Sequence, residues 1–215
     1  MTHEPIRMPP ILCAVLTLAG ALGLAACSKP TDASAENFTA AMNTYLAKRG
    51  DLCLGKSQWP IDVTEREIES GARNAVQMPV LEKLGLVAAS VAEIDLKDDD
   101  GISHHMKVRR YALTDAGHPF YLVRDTVQAD GRKASQGNFC AARLSLDKVL
   151  RWNAALGAHQ MVVTYTYKAE PAPWMQDADA QKVFPVVANV VRGAGSAELT
   201  ETFRLTDAGW VAADL

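Results

Sequence analysis

Three groups of residues in this 215-residue chain have types and spacings that could do chemistry. The first is Gly50-Asp51-Leu52-Cys53-Leu54-Gly55-Lys56-Ser57, formally G-x-x-x-x-G-K-S. That string cradles phosphate when a strand enters it and a helix leaves it, because the backbone amides then point at the phosphate oxygens. Here a helical pattern enters, and Gln58-Trp59-Pro60 follows, which is poor material for a helix start. A short covered strand with a turn is the expectation. The second group is His104-His105, just after Asp98-Asp99-Asp100. Adjacent residues on a strand face opposite ways, so the two imidazoles do not easily share one ion. The acidic triplet lacks the spacing of a calcium loop, and a solvated hairpin tip accounts for it. The third group is His118 and His159, each alone, in a chain without a G-x-S-x-G nucleophile motif. On these grounds no catalytic residue, no metal ligand and no cofactor is assigned.

Location is written more clearly than chemistry. Residues 11–24, ILCAVLTLAGALGL, form an unbroken apolar run. A membrane-spanning helix needs ~20 such residues and a signal-peptide core roughly 7–15, so the run fits a leader. It ends in Leu24-Ala25-Ala26-Cys27, with small residues before the sulfur and only Arg7, opposed by Glu4, as side-chain charge ahead of the run. This stretch resembles the lipobox of bacterial lipoproteins. The resemblance implies that residues 1–26 are a cleaved signal peptide and that Cys27 is joined to a diacylglycerol and then acylated on its new amino group. Ser28 follows, which in the enteric sorting rule of that family implies the outer membrane. The alternative is a plain cleaved leader with Cys27 an ordinary thiol. Residues 28–35, SKPTDASA, are small and polar and read as a flexible tether.

That location sorts the four cysteines. Cys13 leaves with the leader and Cys27 takes the lipid. Cys53 and Cys140 remain as an even pair in an oxidising compartment, and a disulfide between them is expected. Two buried free thiols are the alternative. Neither has a C-x-x-C partner for a metal. The pairing would also occupy the middle of the G-x-x-x-x-G-K-S string, outside the compartment that supplies nucleotide triphosphates. The net charge of −3 gives no broad attraction to nucleic acid.

The elements that position these residues follow from periodicity. Phe38, Met42, Tyr45 and Leu46 predict a helix over 36–48, closed by Gly50. Thr64 and Glu67 form a capping box for a helix running towards Gln77 and loosened at Gly71. Pro79 suits the start of a further short helix, 79–84, and Gly85 its stop. Strands are expected at 86–96 and 105–113 around a turn at 97–101. LEKLGLV followed by a hairpin ending RRYALTDAG resembles the winged-helix pattern of bacterial transcription regulators over residues 60–117. It implies local fold only, since the candidate reading helix, 79–84, has one Lys and one Glu. Thr114-Asp-Ala-Gly117 recurs as Thr206-Asp-Ala-Gly209, and both predict hairpin turns. A loop is expected at 128–137, a strand at 138–146 and a short helix at 147–152. The alternation through 161–167 predicts a strand. Val183, Val186, Val187, Val190 and Val191 predict an amphipathic helix from about 174, kinked or split by Pro185.

Together these give an α+β fold: winged-helix-like N-terminal helices packed on antiparallel strands over 36–146, then a strand–helix–β-hairpin unit over 147–215, in one domain or two. NFCAARLSLDKVLRW, VVTYTYK, PAPW, VFP and LTDAGW resemble a type found among uncharacterised bacterial envelope lipoproteins. That resemblance implies a location and no activity. The expected function is a non-enzymatic envelope protein, anchored through its lipid and serving a structural or interaction role with an unknown envelope partner. The alternatives are a binding protein that holds a small apolar ligand or peptide in a cleft and a hydrolase with a dispersed site.

Overall fold

The computed structural model describes residues 29–97, 100–127, 131–155 and 159–215. The leader, Cys27 and Ser28, Asp98 and Asp99 of the acidic triplet, and residues 128–130 of the expected loop lie outside the described residues.

The fold is α+β with two antiparallel sheets. Helix α1 (Ala35–Arg49) leads through Gly50 into the short strand β1 (Asp51–Cys53). Its start is set by Ser34, whose hydroxyl accepts from the Asn37 N–H at 3.2 Å. Strand β2 (Ile61–Thr64) ends at the capping box, with Thr64 and Glu67 satisfying each other's backbone amides. Helix α2 (Glu65–Glu69) follows, and Gly71, at φ 65°, breaks the chain before helix α3 (Arg73–Lys83). Pro79 does not begin a helix of its own: it lies inside α3. Fully buried Met78 and Leu81 on either side hold that helix against the core and outweigh the lost amide. The helix stops where expected, since the Gly85 N–H reaches Glu82 O and the Leu86 N–H reaches Leu81 O.

Strands β3 (Val87–Lys97) and β4 (Ser103–Leu113) form a long hairpin, with β2 on the far side of β4, giving the order β2-β4-β3. The second sheet is built around β6 (Lys133–Ala154). Strand β5 (Tyr121–Val127) pairs its first part, β1 its middle, and β7 (Gln160–Pro171) its remainder. Strands β8 (Leu199–Thr206) and β9 (Gly209–Ala212) continue outward from β7. Helices α4 (Ala178–Val183) and α5 (Pro185–Gly193) lie between β7 and β8, split at Pro185 as the sequence leads one to expect. Across the split the buried face is Ala180, Phe184, Val187 and Ala188, so Val186 points outward, 74% exposed.

Two expectations fail on β6. The strand begins at Lys133, inside the expected loop at 128–137, because β5 pairs with it from that point. It also runs straight through the expected helix at 147–152 and across the expected boundary at 146. The apolar residues Leu146, Val149 and Trp152 recur every third position, which imitates a helix. In the sheet they oppose Tyr167, Tyr165 and Val163, which recur every second position. Register shifts between Leu146 and Lys148 and between Val149 and Arg151 each insert one residue and keep the apolar side chains on one face.

The repeated Thr-Asp-Ala-Gly also behaves in two ways. At 206–209 it makes the expected hairpin: Thr206 pairs with Gly209, which takes φ 117°. At 114–117 it does not. Thr114 Oγ1 donates to Gly85 O at 2.6 Å, and Gly117, at φ −83°, packs against the end of α3. Pro119 then opens a 3-10 turn over His118–Phe120, and the next strand joins the other sheet. The difference follows from the next residues: Trp210-Val211 can extend a ladder, whereas Pro119 has no N–H to give one.

Two cores result, both resting on β6. Phe139, Ala141 and Ala142 pack with α3, the small sheet, Trp174 and α4–α5. Leu144 packs with α1, the inner face of β7, Phe203 and Ala212. Fully burying an aromatic such as Phe38, Phe139 or Phe203 contributes roughly 1.5–3 kcal/mol.

A Cβ at position 117 would lie 2.0 Å from Leu86 O, backbone that cannot swing aside. Gly117→Ala should therefore cost on the order of 2–3 kcal/mol in urea denaturation. An unchanged midpoint would show that the junction between the sheets gives way freely.

Candidate functional site

The G-x-x-x-x-G-K-S segment forms a structural joint. A helix precedes it, β1 lies within it, and its amides at Leu54 and Lys56 are already bound. The Leu54 N–H donates to Phe139 O at 2.8 Å, and the Lys56 N–H to Asn138 Oδ1 at 3.0 Å. Lys56 is buried, and its Nζ donates to Asn74 Oδ1 at 2.8 Å and Gln77 Oε1 at 2.9 Å. Asn74 and Gln77 stand one turn apart on α3, so one amine grips both. Gln77 Nε2 carries the connection on to Val183 O at 3.0 Å. Burial, with Arg73 nearby, lowers the Lys56 amine to about 8. The sequence marks Lys56 only as part of a phosphate-binding string; its partners Asn74 and Gln77 are an i, i+3 pair of amides on α3.

Cys53 and Cys140 are bonded to each other. They face one another in the β1–β6 register, which brings their Cα atoms to 3.7 Å. The bond closes a long loop, from residue 53 to 140, and adds an upper estimate of roughly 4–5 kcal/mol in the chain-entropy model.

The histidines are dispersed. His105 sits on the outer part of the β3–β4 hairpin, directly opposite Asp95. Its Nδ1 lies 2.9 Å from Asp95 Oδ1 and its Nε2 3.2 Å from Glu93 Oε2. These hydrogen bonds, Asp95 first, hold the imidazole above its usual value. His118 begins the 3-10 turn and His159 precedes β7 at φ 60°; both side chains are exposed. Among the described residues no group of three His, Cys, Asp or Glu side chains is placed to hold a metal ion.

The tryptophans do not gather into one exposed cluster. Trp174 is buried with Phe139, Phe120 and Phe184, and Trp59 stacks beside Phe139 at 5.9 Å. Trp152 and Trp210 flank Phe38, at 5.3 and 5.0 Å. Trp174 fills core, while Trp59, Trp152 and Trp210 are half-buried against it.

No protein-family model, curated protein or solved structure matches this chain.

Among the hollows lined by the described residues, one of about 430 Å³ lies between α2–α3 and the β3–β4 hairpin and exposes apolar side chains. Its apolar residues Ile68 and Val91 are 53% and 79% exposed. Its rim is charged. Arg109 pairs with Glu82 at 2.7 Å and stacks 5.4 Å above the Tyr111 ring, and Lys107 lies alongside. The sequence could not reveal this groove. The odd-numbered face of the small sheet is core at Tyr111 and Val63 and becomes surface at Val91, and only the reach of the helices decides where it changes.

The buried amine yields a pH test. Between about 8 and its ordinary 10.5, Lys56 is deprotonated in the folded protein and protonated in the unfolded chain. The unfolded state then binds more protons, so stability should rise with pH across that window, by up to roughly 3 kcal/mol. Below pH 8 both states are charged and the whole cost of burial is present. Urea denaturation from pH 7 to 10.5 should show this rise relative to Lys56→Met; parallel curves would mean that the amine is solvated.

Proposed function

We propose that this chain is a non-enzymatic protein of the bacterial cell envelope, lipid-anchored through Cys27, in the outer membrane, with a structural or interaction role. The single observation that carries the reading is the Cys53–Cys140 bond. Such bonds persist in oxidising compartments and are rare in the cytosol, which agrees with the leader at 11–24 and the Leu-Ala-Ala-Cys at its end. No helix among the described residues is long and apolar enough to cross a membrane. Attachment is assigned to the acyl chains on the strength of the Leu-Ala-Ala-Cys at 24–27, each buried methylene contributing about 0.8 kcal/mol.

The groove supports the interaction role. An apolar floor with a charged rim is the make-up of a protein contact, and the aromatic residues that could line a ligand cavity are spent in the cores. The small-ligand alternative has this same groove as its place; a short extended peptide suits so open a trough better than an enclosed molecule does. The order β2-α2-α3-β3-β4, with β4 central, favours the winged-helix likeness as local fold. Helix α1 departs from that pattern by packing on β6 and β9. DNA reading is not proposed, because α3 offers Arg73 and Lys83 but also Glu82, engaged with Arg109.

Expressed with its own leader, the mature chain should begin at Cys27, carry an acyl mass on that residue and fractionate with membranes. Cys27→Ser should lose the acyl mass and leave the membrane fraction. Recovery of the uncleaved, unacylated chain from the cytosol would overturn the proposal.

A further inference from the structure

Residues 28–35 read as a tether, yet the part of it from Lys29 onward is bound to the folded body. The Asp32 N–H donates to Lys29 O at 2.9 Å, and the Lys29 N–H to Asp32 Oδ2 at 2.9 Å, closing a turn. Asn37 Nδ2, from the first turns of α1, donates to Lys29 O at 2.7 Å and Asp32 O at 2.9 Å. From the other side Trp210 Nε1 donates to Asp32 O at 3.0 Å. Gly209 permits Pro30 to sit close: a Cβ there would lie 3.0 Å from Pro30 O. Small polar residues suit a tether and a turn alike, and the turn forms where a partner supplies the donors. Here the partners are Asn37 and a tryptophan 178 residues away.

The consequence is one of reach. A free tether of eight residues would hold the body off by about 15 Å on average. With Lys29 bound, Ser28 alone separates it from Cys27, and that link spans no more than about 7 Å. We propose that the end of the molecule built from Lys29–Asp32, the first turn of α1 and the β8–β9 turn is held directly on the lipid headgroups. The opposite end, around Arg49, Asp51 and Arg124, then faces away from the bilayer. This inference rests on Cys27 carrying the lipid. Helix α1 fixes the separation of the two ends at about 22 Å. Arg124 pairs with Asp51 just beyond its C-terminus, and Arg49 Nη2 donates to Asp214 O at 3.2 Å. Trp152 and Trp210, half-buried around Phe38, lie at the anchored end. Indole rings favour the level of the headgroups.

The test uses the full mature protein, purified with its acyl chains and reconstituted in vesicles of phosphatidylcholine and phosphatidylglycerol that carry a headgroup quencher. A fluorophore is placed either at Ala208→Cys, in the β8–β9 turn, or at Val123→Cys, on exposed β5 at the far end. Quenching at 208 should exceed that at 123 several-fold. Asn37→Ala with Trp210→Phe should narrow the difference by releasing the turn. A ten-residue Gly-Ser insertion between Ser28 and Lys29, which leaves the fold untouched, should abolish it. Equal quenching at both sites, with acyl mass present on Cys27, overturns this inference alone. Absence of both acyl mass and vesicle binding overturns the lipoprotein reading and this inference with it.

Discussion

One strand has to satisfy two hydrophobic cores, and the rest of the molecule is arranged to let it. β6 brings Phe139, Ala141 and Ala142 to one core and Leu144 to the other, and carries Trp152 further along. A regular strand of that length would twist and drift out of register with its neighbours. The two inserted residues near Asp147 and Leu150 bend it, so that the same side keeps facing α1 and the interior of β7. Asp147 is not wasted: its carboxylate accepts from the buried Thr166 hydroxyl at 2.8 Å, which satisfies a polar group inside the sheet.

The covalent and polar ties converge on the same strand. The disulfide joins β1 to it at Cys140, and two residues earlier Asn138 receives the Lys56 amide. Lys56 then carries the connection into α3, and Gln77 into the end of α4. The small sheet and its helices are thereby held to the large sheet by a buried amine and a shared core, while the disulfide fixes β1 within the large sheet. Tyr121 adds to this from β5, its hydroxyl donating to Ser57 O at 2.6 Å while its ring fills the space left by Gly137.

How much of this can be read from sequence depends on whether the signal is local. The Thr64–Glu67 box, the Gly85 stop, the alternation at 161–167 and the break at Pro185 are each decided within a few residues, and each is found where expected. The pairing of Cys53 with Cys140 is expected from counting together with the compartment the leader implies, and the two are bonded. What misleads is a local pattern with a distant cause. A spacing of three in 146–152 comes from bulges matched to β7. One Thr-Asp-Ala-Gly is a hairpin and its twin a crossing between sheets, because Val211 can join a ladder and Pro119 cannot. The groove beside α2 depends on where the helices stop covering the sheet, and Lys56 on two amides that meet it only after folding.

The β3–β4 hairpin leaves β3 at the border of its sheet, bonded to β4 alone among the described residues. An eleven-residue border strand is a template on which another chain can add. Two β3 strands aligned antiparallel about Ile94 would set Glu93 of each against Asp95 of the other, carboxylate facing carboxylate. Glu93 and Asp95, both hydrogen-bonded to His105 within one molecule, would bring like charges together in such a pairing, an arrangement that disfavours it.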